Sequence, residues 1–88
     1  MRIKDGFVLE EVAQSYIAVA VSGEAKGFGG VVRLNSTGAF LWNLMKDNDM
    51  SREQLLEKLL EAYDVSRERA LEDIIKFENI LRDGGLVV

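Results

Sequence analysis

The stretch that decides the fold is VVRLNSTGAFLWNLM, residues 31–45, because its hydrophobic period changes halfway along. Before Asn35 the residues alternate, and Val32 and Leu34 fall on one face of a strand. Beyond Asn35 the apolar residues recur at helical spacing, namely at Phe40, Leu41, Leu44 and Met45. The pattern predicts a strand over residues 31–34 that leads directly into a helix capped by Asn35.

Two further strands are predicted upstream of this corner. Phe7–Val12 and residues 16–21 are rich in β-branched and aromatic side chains and flank a short polar connection, which is typical of a hairpin. The second run has two faces, one with Ile17, Val19 and Val21 and the other with Tyr16, Ala18 and Ala20. Because the first set is bulkier, we expect it to face the core.

A glycine-rich segment, SGEAKGFGG at residues 22–30, separates the second and third predicted strands. Its glycines predict a loop that can adopt positive backbone angles and let another chain approach closely. The segment resembles a GxGxxG nucleotide-binding loop, but Val32 stands in place of the last glycine and a strand follows instead of a helix. A nucleotide site is therefore not predicted.

Two more helices follow the corner. SREQ at residues 51–54 provides a capping box in which Ser51 begins the second helix and Gln54 closes the box. After a turn at residues 64–65, the third helix is predicted to begin at Ser66 and to end near Asp83, before a pair of glycines. The last three residues, LVV, are predicted to add a short final strand.

The third helix has a narrow core stripe and one broader flank. Its stripe consists of Ala70, Ile74, Phe77 and Leu81. Leu71 and Ile75 lie a quarter-turn or more round the helix, on a flank that Glu78 continues. The apolar face of this helix is thus wider than packing against the core alone requires. Leu71 and Ile75 therefore line either the core or a binding groove.

This order of elements predicts an α+β fold. We expect a winged helix-turn-helix-like domain, with an N-terminal three-stranded antiparallel sheet followed by three helices. At 88 residues the chain is expected to form a single domain over residues 1–88 with a small core. In so small a core, Trp42 is interpreted as the buried anchor of the first helix.

The composition argues against most enzyme classes. The chain has no histidine and no cysteine, which removes the commonest general base, thiolate chemistry and the usual zinc ligands. Asp47 and Asp49 lack the frame of a calcium loop, and the neighbours Glu10 and Glu11 point to opposite faces of a strand. We therefore expect no catalytic residue, no cofactor, no metal and no enzyme activity.

The charge pattern and hydropathy bear on partners and location. The net charge is -4, and the 15 acidic and 11 basic residues are interspersed, so a polyanion is not the expected partner. No uncharged run approaches membrane-spanning length, and the N-terminus lacks the apolar core of a secretion signal. The sequence predicts a cytoplasmic protein that binds neither nucleic acid nor a membrane.

Two alternative functions remain open at this stage. Arg67 and Arg69 stand at the start of what would be the recognition helix of a winged-helix nucleic-acid-binding protein. Against this, Glu68, Glu72 and Asp73 lie on the same helix and would repel phosphate. The other alternative is a homodimer, since an unoccupied strand edge can pair with its own copy.

The corner sequence and the helices that follow it resemble the PqqD family, the pyrroloquinoline-quinone biosynthesis D proteins. The family's LN-x-T-G-A-x-x-W pattern is present as Leu34, Asn35, Thr37, Gly38, Ala39 and Trp42. Later landmarks are matched by Leu55, Tyr63, Val65, Asp73, Phe77, Leu81, Gly85 and Leu86. The resemblance spans nearly the whole chain, although Lys46 to Asp49 stands where many members turn on a glycine.

The resemblance implies a RiPP recognition element, a non-catalytic domain that binds the leader segment of a ribosomally made precursor peptide. Such a domain presents the leader to a modifying enzyme, often a radical S-adenosylmethionine (radical SAM) protein. The leader adds a strand to the third strand, an exposed edge that offers unpaired backbone groups, and lies against the third helix. Carried over by position, the implied peptide-binding residues are Gly30, Val31, Val32, Arg33, Leu34, Leu71, Ile75 and Glu78. The resemblance leaves open which flank of the third helix faces the peptide.

Overall fold

The computed structural model describes residues 1–21 and 32–87. Within them lie strands β1 (Phe7–Val12), β2 (Ser15–Ala20) and β3 (Val32–Leu34) and helices α1 (Ser36–Met45), α2 (Arg52–Ala62) and α3 (Arg67–Gly84). The strands form an antiparallel sheet in the order β1-β2-β3, and helices α1 and α3 pack on it. This arrangement confirms the α+β, winged helix-turn-helix-like fold. The predicted loop over residues 22–30, with Val31 and Val88, lies outside the described residues.

Each helix begins where a side chain caps it. The Asn35 side chain accepts a hydrogen bond from the Gly38 N–H at 2.8 Å, which satisfies one of the free amides of the first turn of α1. Ser51 and Gln54 form the reciprocal bonds of the predicted capping box at the start of α2. Ser66 caps α3 by accepting from the backbone of its first turn. These local signals were sufficient to predict all three helix starts.

The C-terminal end of α3 is tied to the N-terminal segment. Gly85 adopts a left-handed conformation with φ of 75° and ends the helix, as glycine commonly does after a helix. The buried Leu86 accepts a backbone hydrogen bond from Lys4 at 2.8 Å, and Val87 forms a bridge with Ile3. Among the described residues, the predicted final strand is thus a single bridge.

The sheet buries the opposite face of β2 from the one predicted. Ala18 is 0% exposed and pairs with Val32, whereas Val21 is 60% exposed. The expectation that the bulkier set of β2 faces the core is therefore wrong. Because Leu34 leads directly into α1, its face of the sheet must meet the helices, and the register places Tyr16 and Ala18 on that face. A small side chain at the centre leaves room for bulky ones from the helices.

The core lies between this sheet face and the three helices. Trp42 is 2% exposed, which confirms its predicted role as a buried anchor. The other large side chains that are fully buried are Leu41, Met45, Leu55, Leu59, Ile74, Leu81 and Leu86. From the sheet, Phe7, Leu9 and Tyr16 pack against this cluster. The core thus fixes the position of α3 relative to β3.

Candidate functional site

Strand β3 forms one edge of the sheet. It pairs with β2 through Val32, Arg33 and Leu34, and no other strand of the described residues lies along its outer side. In an antiparallel ladder, alternate residues of an edge strand direct their N–H and C=O groups away from the sheet. The outer side of β3 can therefore pair with a further extended chain.

A cleft of about 260 Å³ opens between this edge and helix α3. Strand β3 and the start of α1 line one wall, and α3 lines the other. The lining residues are Arg33, Leu34, Asn35, Thr37, Gly38, Asp73, Lys76, Phe77 and Ile80. The cleft is therefore built from the corner sequence that decides the fold and from one side of the last helix.

Two glycines allow the walls of the cleft to meet the strand closely. A Cβ on Gly38 would lie 3.2 Å from the Leu34 Cβ, so the glycine lets α1 begin directly against β3. A Cβ on Gly84 would lie 3.3 Å from a Val32 methyl and 2.7 Å from a Leu86 methyl. The absence of side chains at these two positions lets β3 lie close to both α1 and α3.

The α3 wall is apolar at its base and charged toward solvent. Phe77 is buried and Ile80 is 42% exposed, so an apolar surface is available to an occupant of the cleft. Lys76 is exposed beside them. Asp73 is partly buried, and its carboxylate lies 3.5 Å from the Nε of Arg69. An extended chain in the cleft would thus meet both apolar contacts and charge.

The charge at the cleft differs in sign from that of the whole chain. Within residues 1–21 and 32–87, Arg33 and Lys76 form no ion pair or hydrogen bond through their side chains. The carboxylate of Asp73 is the acidic group of the lining, and it forms an ion pair with the exposed Arg69. The β3 edge is therefore locally cationic, with Arg33 on its outward face and Lys76 on the cleft side, although the chain has a net charge of -4.

Only some of the site residues predicted from the sequence lie at the cleft or on the β3 edge. Arg33 and Leu34 line the cleft, and Val32 lies on the same strand edge. Gly30 and Val31 lie outside the described residues. Leu71, Ile75 and Glu78, here called the far flank, do not line the cleft but lie on the other side of α3.

The far flank is largely occupied by contacts within the protein. Glu78 is 2% exposed and accepts two hydrogen bonds from Arg52 of α2, at 3.0 Å from Nε and 2.7 Å from Nη2. Leu71 is partly buried and packs against the core. Ile75 is 38% exposed. The structure therefore joins this flank to α2 through Glu78 and separates it from the β3 edge.

The ion pair on the far flank shifts the acidity of its carboxylate. The hydrogen bonds from Arg52 lower the pKa of Glu78 below its ordinary value of 4.5. Burial opposes this shift because it disfavours the charged form, and the positive charges of Arg52 and Arg82 add to the lowering. Glu78 is thus a carboxylate anion at neutral pH, and its hydrogen bonds with Arg52 connect α2 and α3.

Sequence reasoning missed the α3 side of the cleft. The side chains of Asp73, Lys76 and Ile80, here called the cleft flank, lie on the same side of the helix as one edge of the core stripe. The available signal was Ile80, an apolar residue three positions after Phe77 that lay outside both predicted stripes. The prediction of Leu71, Ile75 and Glu78 came from the family resemblance, and the apolar stripe of Leu71 and Ile75 was consistent with it.

The described residues offer little support for nucleic-acid binding, a membrane-spanning helix or a metal site. Arg69 of the proposed recognition helix is paired with Asp73, and acidic residues follow on the same helix, so nucleic-acid binding is not favoured. None of the helices in residues 1–21 and 32–87 is long and apolar enough to cross a membrane. In the same residues, acidic side chains do not gather into a group of three that could hold a metal ion.

Comparison with known proteins identifies the family of the chain and a solved structure with a similar fold. The family model of Coenzyme PQQ synthesis protein D (PqqD) matches residues 8–87. The chain belongs to the PqqD family. This PqqD-family fold is similar to a solved structure of TbiB1 in complex with the TbiA(beta) leader peptide, with a TM-score of 0.75 and 20% identity, over 99% of this chain and 94% of that chain. No curated protein matches the chain at a significant level.

Proposed function

We propose that this PqqD-family protein binds the leader segment of a ribosomally made precursor peptide as an added strand on β3. The observation that carries the proposal is the position of an open strand edge directly beside a cleft. Backbone pairing provides affinity with little demand on sequence, and side-chain contacts beside the edge select the peptide. The similar fold of TbiB1, solved with a leader peptide, supports this function.

The proposal assigns binding to β3 and not to β1, the other edge of the sheet. A strand on either edge would gain backbone hydrogen bonds, but only the β3 edge adjoins the cleft. On the β1 side, Glu10 and Glu11 are exposed and add negative charge. Because backbone pairing is similar at both edges, the side-chain contacts with α3 decide the preference for β3.

The proposal also assigns the peptide to the cleft flank of α3. An extended segment on β3 directs alternate side chains toward the helix, where Phe77 and Ile80 offer apolar contact. The predicted contacts at Leu71, Ile75 and Glu78 would require the segment to reach the far side of the helix. Glu78 is moreover already bound to Arg52. Binding at the cleft needs no rearrangement of that ion pair.

We further propose that the protein is a binding module without enzyme activity. Asp73 is the one carboxylate of the cleft lining, and it is paired with Arg69, so the lining does not hold a pair of carboxylates for general acid–base catalysis. The resemblance of the sequence supports a modifying enzyme of the radical SAM class as the recipient of the bound peptide. Because a leader is made by the ribosome, we place this binding in the cytoplasm.

Amide hydrogen exchange with a synthetic peptide, chosen from a displayed library for binding to the full chain, tests the proposal. We expect slower exchange of at least one amide of Val32–Leu34 when the peptide is added, because a new strand bonds the outward N–H groups. Strand β1, Phe7–Val12, is the internal control and should be unchanged. Protection of β1 alone, or binding without protection of β3, contradicts the proposal.

A further inference from the structure

We infer that the peptide segment bound at β3 is acidic, with one carboxylate beside Arg33 and a second near Lys76, and with an apolar side chain between α3 and the strand. This inference rests on the proposed function and specifies the chemistry of its ligand. It comes from the position of the two cations on either side of the β3 edge.

Arg33 marks the outward face of the site. It pairs with Ile17, and its side chain alternates with those of Val32 and Leu34, so it lies on the sheet face away from the helices. The row across the sheet on that face is Glu10, Ile17 and Arg33, in which the isoleucine separates the two charges. A residue added opposite Arg33 would be its direct neighbour, and a carboxylate there forms a favourable cross-strand pair.

Lys76 marks the inward face of the same site. It lines the cleft next to Phe77 and is exposed, whereas the nearby carboxylate of Asp73 is engaged by Arg69. The residues on either side of the one opposite Arg33 point toward α3. One of them can pack on Phe77 and Ile80, and the other can place a carboxylate near Lys76.

The rest of the protein strengthens this preference. The chain carries 15 acidic residues and a net charge of -4, so it repels an acidic peptide at most of its surface. The cationic cleft is a local exception. An acidic segment would therefore be attracted mainly where its strand can also pair with β3, and charge would direct the peptide to this edge.

Selection from a displayed library of random segments, each about ten residues long and so sufficient for one strand, tests the inference. The bait is the full chain, and the same library is selected on the Arg33→Glu, Lys76→Glu double variant. We expect the unaltered protein to enrich segments with two adjacent acidic residues, one on each face of the strand, and an apolar residue next to the pair. The double variant should enrich basic residues at the same positions instead.

A synthetic peptide of the enriched sequence then measures the individual pairs. Reversal of one cleft charge, by Arg33→Glu or Lys76→Glu, should weaken binding about tenfold, because attraction is replaced by repulsion. Exchange of the matching peptide carboxylate for lysine should restore binding to that variant. Lys46→Glu is the matched control, since Lys46 is exposed at the far end of α1 from the cleft and its reversal should leave binding nearly unchanged.

The outcomes separate this inference from the proposed function. If enriched segments protect β3 from hydrogen exchange but show no excess of acidic residues, the inference is wrong and the proposed function stands. Equal loss of binding in the Lys46→Glu control also overturns the inference, because the effect would then reflect net charge alone. If no segment binds at β3, both are overturned. Circular dichroism of each variant confirms that the fold is retained.

Discussion

The two flanks of α3 each present an isoleucine and charged side chains, but in different settings. On the far flank, Glu78 is buried and receives two hydrogen bonds from Arg52. On the cleft flank, Lys76 is exposed without a charged partner in the described part of the chain. Ile75 and Ile80 are similarly exposed, at 38% and 42%, but only Ile80 lines a cleft.

This difference suggests separate purposes for the two flanks of one helix, stability for the far flank and the proposed binding for the cleft flank. The far flank joins α3 to α2, so its charged groups are used within the protein. The cleft flank faces a strand edge whose backbone groups are open, so its side chains are free to contact an added chain. A change on the first flank should therefore affect folding, and a change on the second should affect binding.

Removal of the core beneath both flanks should have the largest effect. Trp42→Ala is expected to lower the free energy of unfolding by about 3–5 kcal/mol, because it leaves a large cavity in a small core. Chemical denaturation followed by circular dichroism measures the loss. If the variant keeps its stability and loses only peptide binding, Trp42 is a contact residue and its assignment as an anchor is wrong.

Disruption of the far-flank ion pair should rank second. Glu78→Gln is expected to lower the free energy of unfolding by about 1–3 kcal/mol, since charge-assisted hydrogen bonds from Arg52 are weakened. Arg52→Ala should be more destabilising, because it leaves a buried carboxylate without its partner. Denaturation of both variants tests this order. Unchanged stability together with weaker peptide binding would move the binding site to the far flank.

The same ion pair should make stability depend on pH in the acidic range. The pKa of Glu78 is below its ordinary 4.5 in the folded protein, so the folded state binds fewer protons than the unfolded state as the pH falls below that value. The contribution of the pair is therefore complete above pH 4.5 and is lost as the pH falls through the folded pKa. The stability difference between the unaltered protein and Glu78→Gln should shrink over this window. A constant difference would mean that the pair does not carry the stabilisation.

The smallest effect, on binding alone, should come from the two isoleucines. Ile80→Ala should weaken peptide binding by about 1 kcal/mol, or about fivefold in Kd, because its exposed surface is covered by the bound strand. Ile75→Ala is the matched control and should leave Kd unchanged. Titration of a fluorescently labelled peptide measures both. The reverse order of effects would support the far flank that the sequence suggested.

The sequence predicts those parts of the fold that depend on local signals. Asn35 and Ser51 are predictable as helix caps, and Ser66 as the start of the third helix, because capping joins residues only three positions apart. The change of period at Asn35 likewise predicts both the strand and the helix that follows. The β3 edge of the candidate site is also predictable, because consecutive strands in the order β1-β2-β3 leave β3 outermost.

The parts that could not be predicted depend on contacts between distant residues. The buried face of β2 depends on its register with β3, and a shift of one residue would reverse it. The two flanks of α3 are distinguished by the pair of Arg52 and Glu78, which are 26 positions apart. A carboxylate next to the core stripe can be a ligand contact or half of an ion pair, and sequence spacing does not distinguish these roles.

The most direct test of the binding site is methyl NMR of isoleucine-labelled protein during titration with a peptide selected from the displayed library. Ile80 and Ile75 report separately on the cleft flank and the far flank, and they are similarly exposed in the free protein. We predict that the peptide shifts the Ile80 methyl signal and leaves that of Ile75 in place. A shift of Ile75 with an unchanged Ile80 would contradict the account and place the peptide on the far flank.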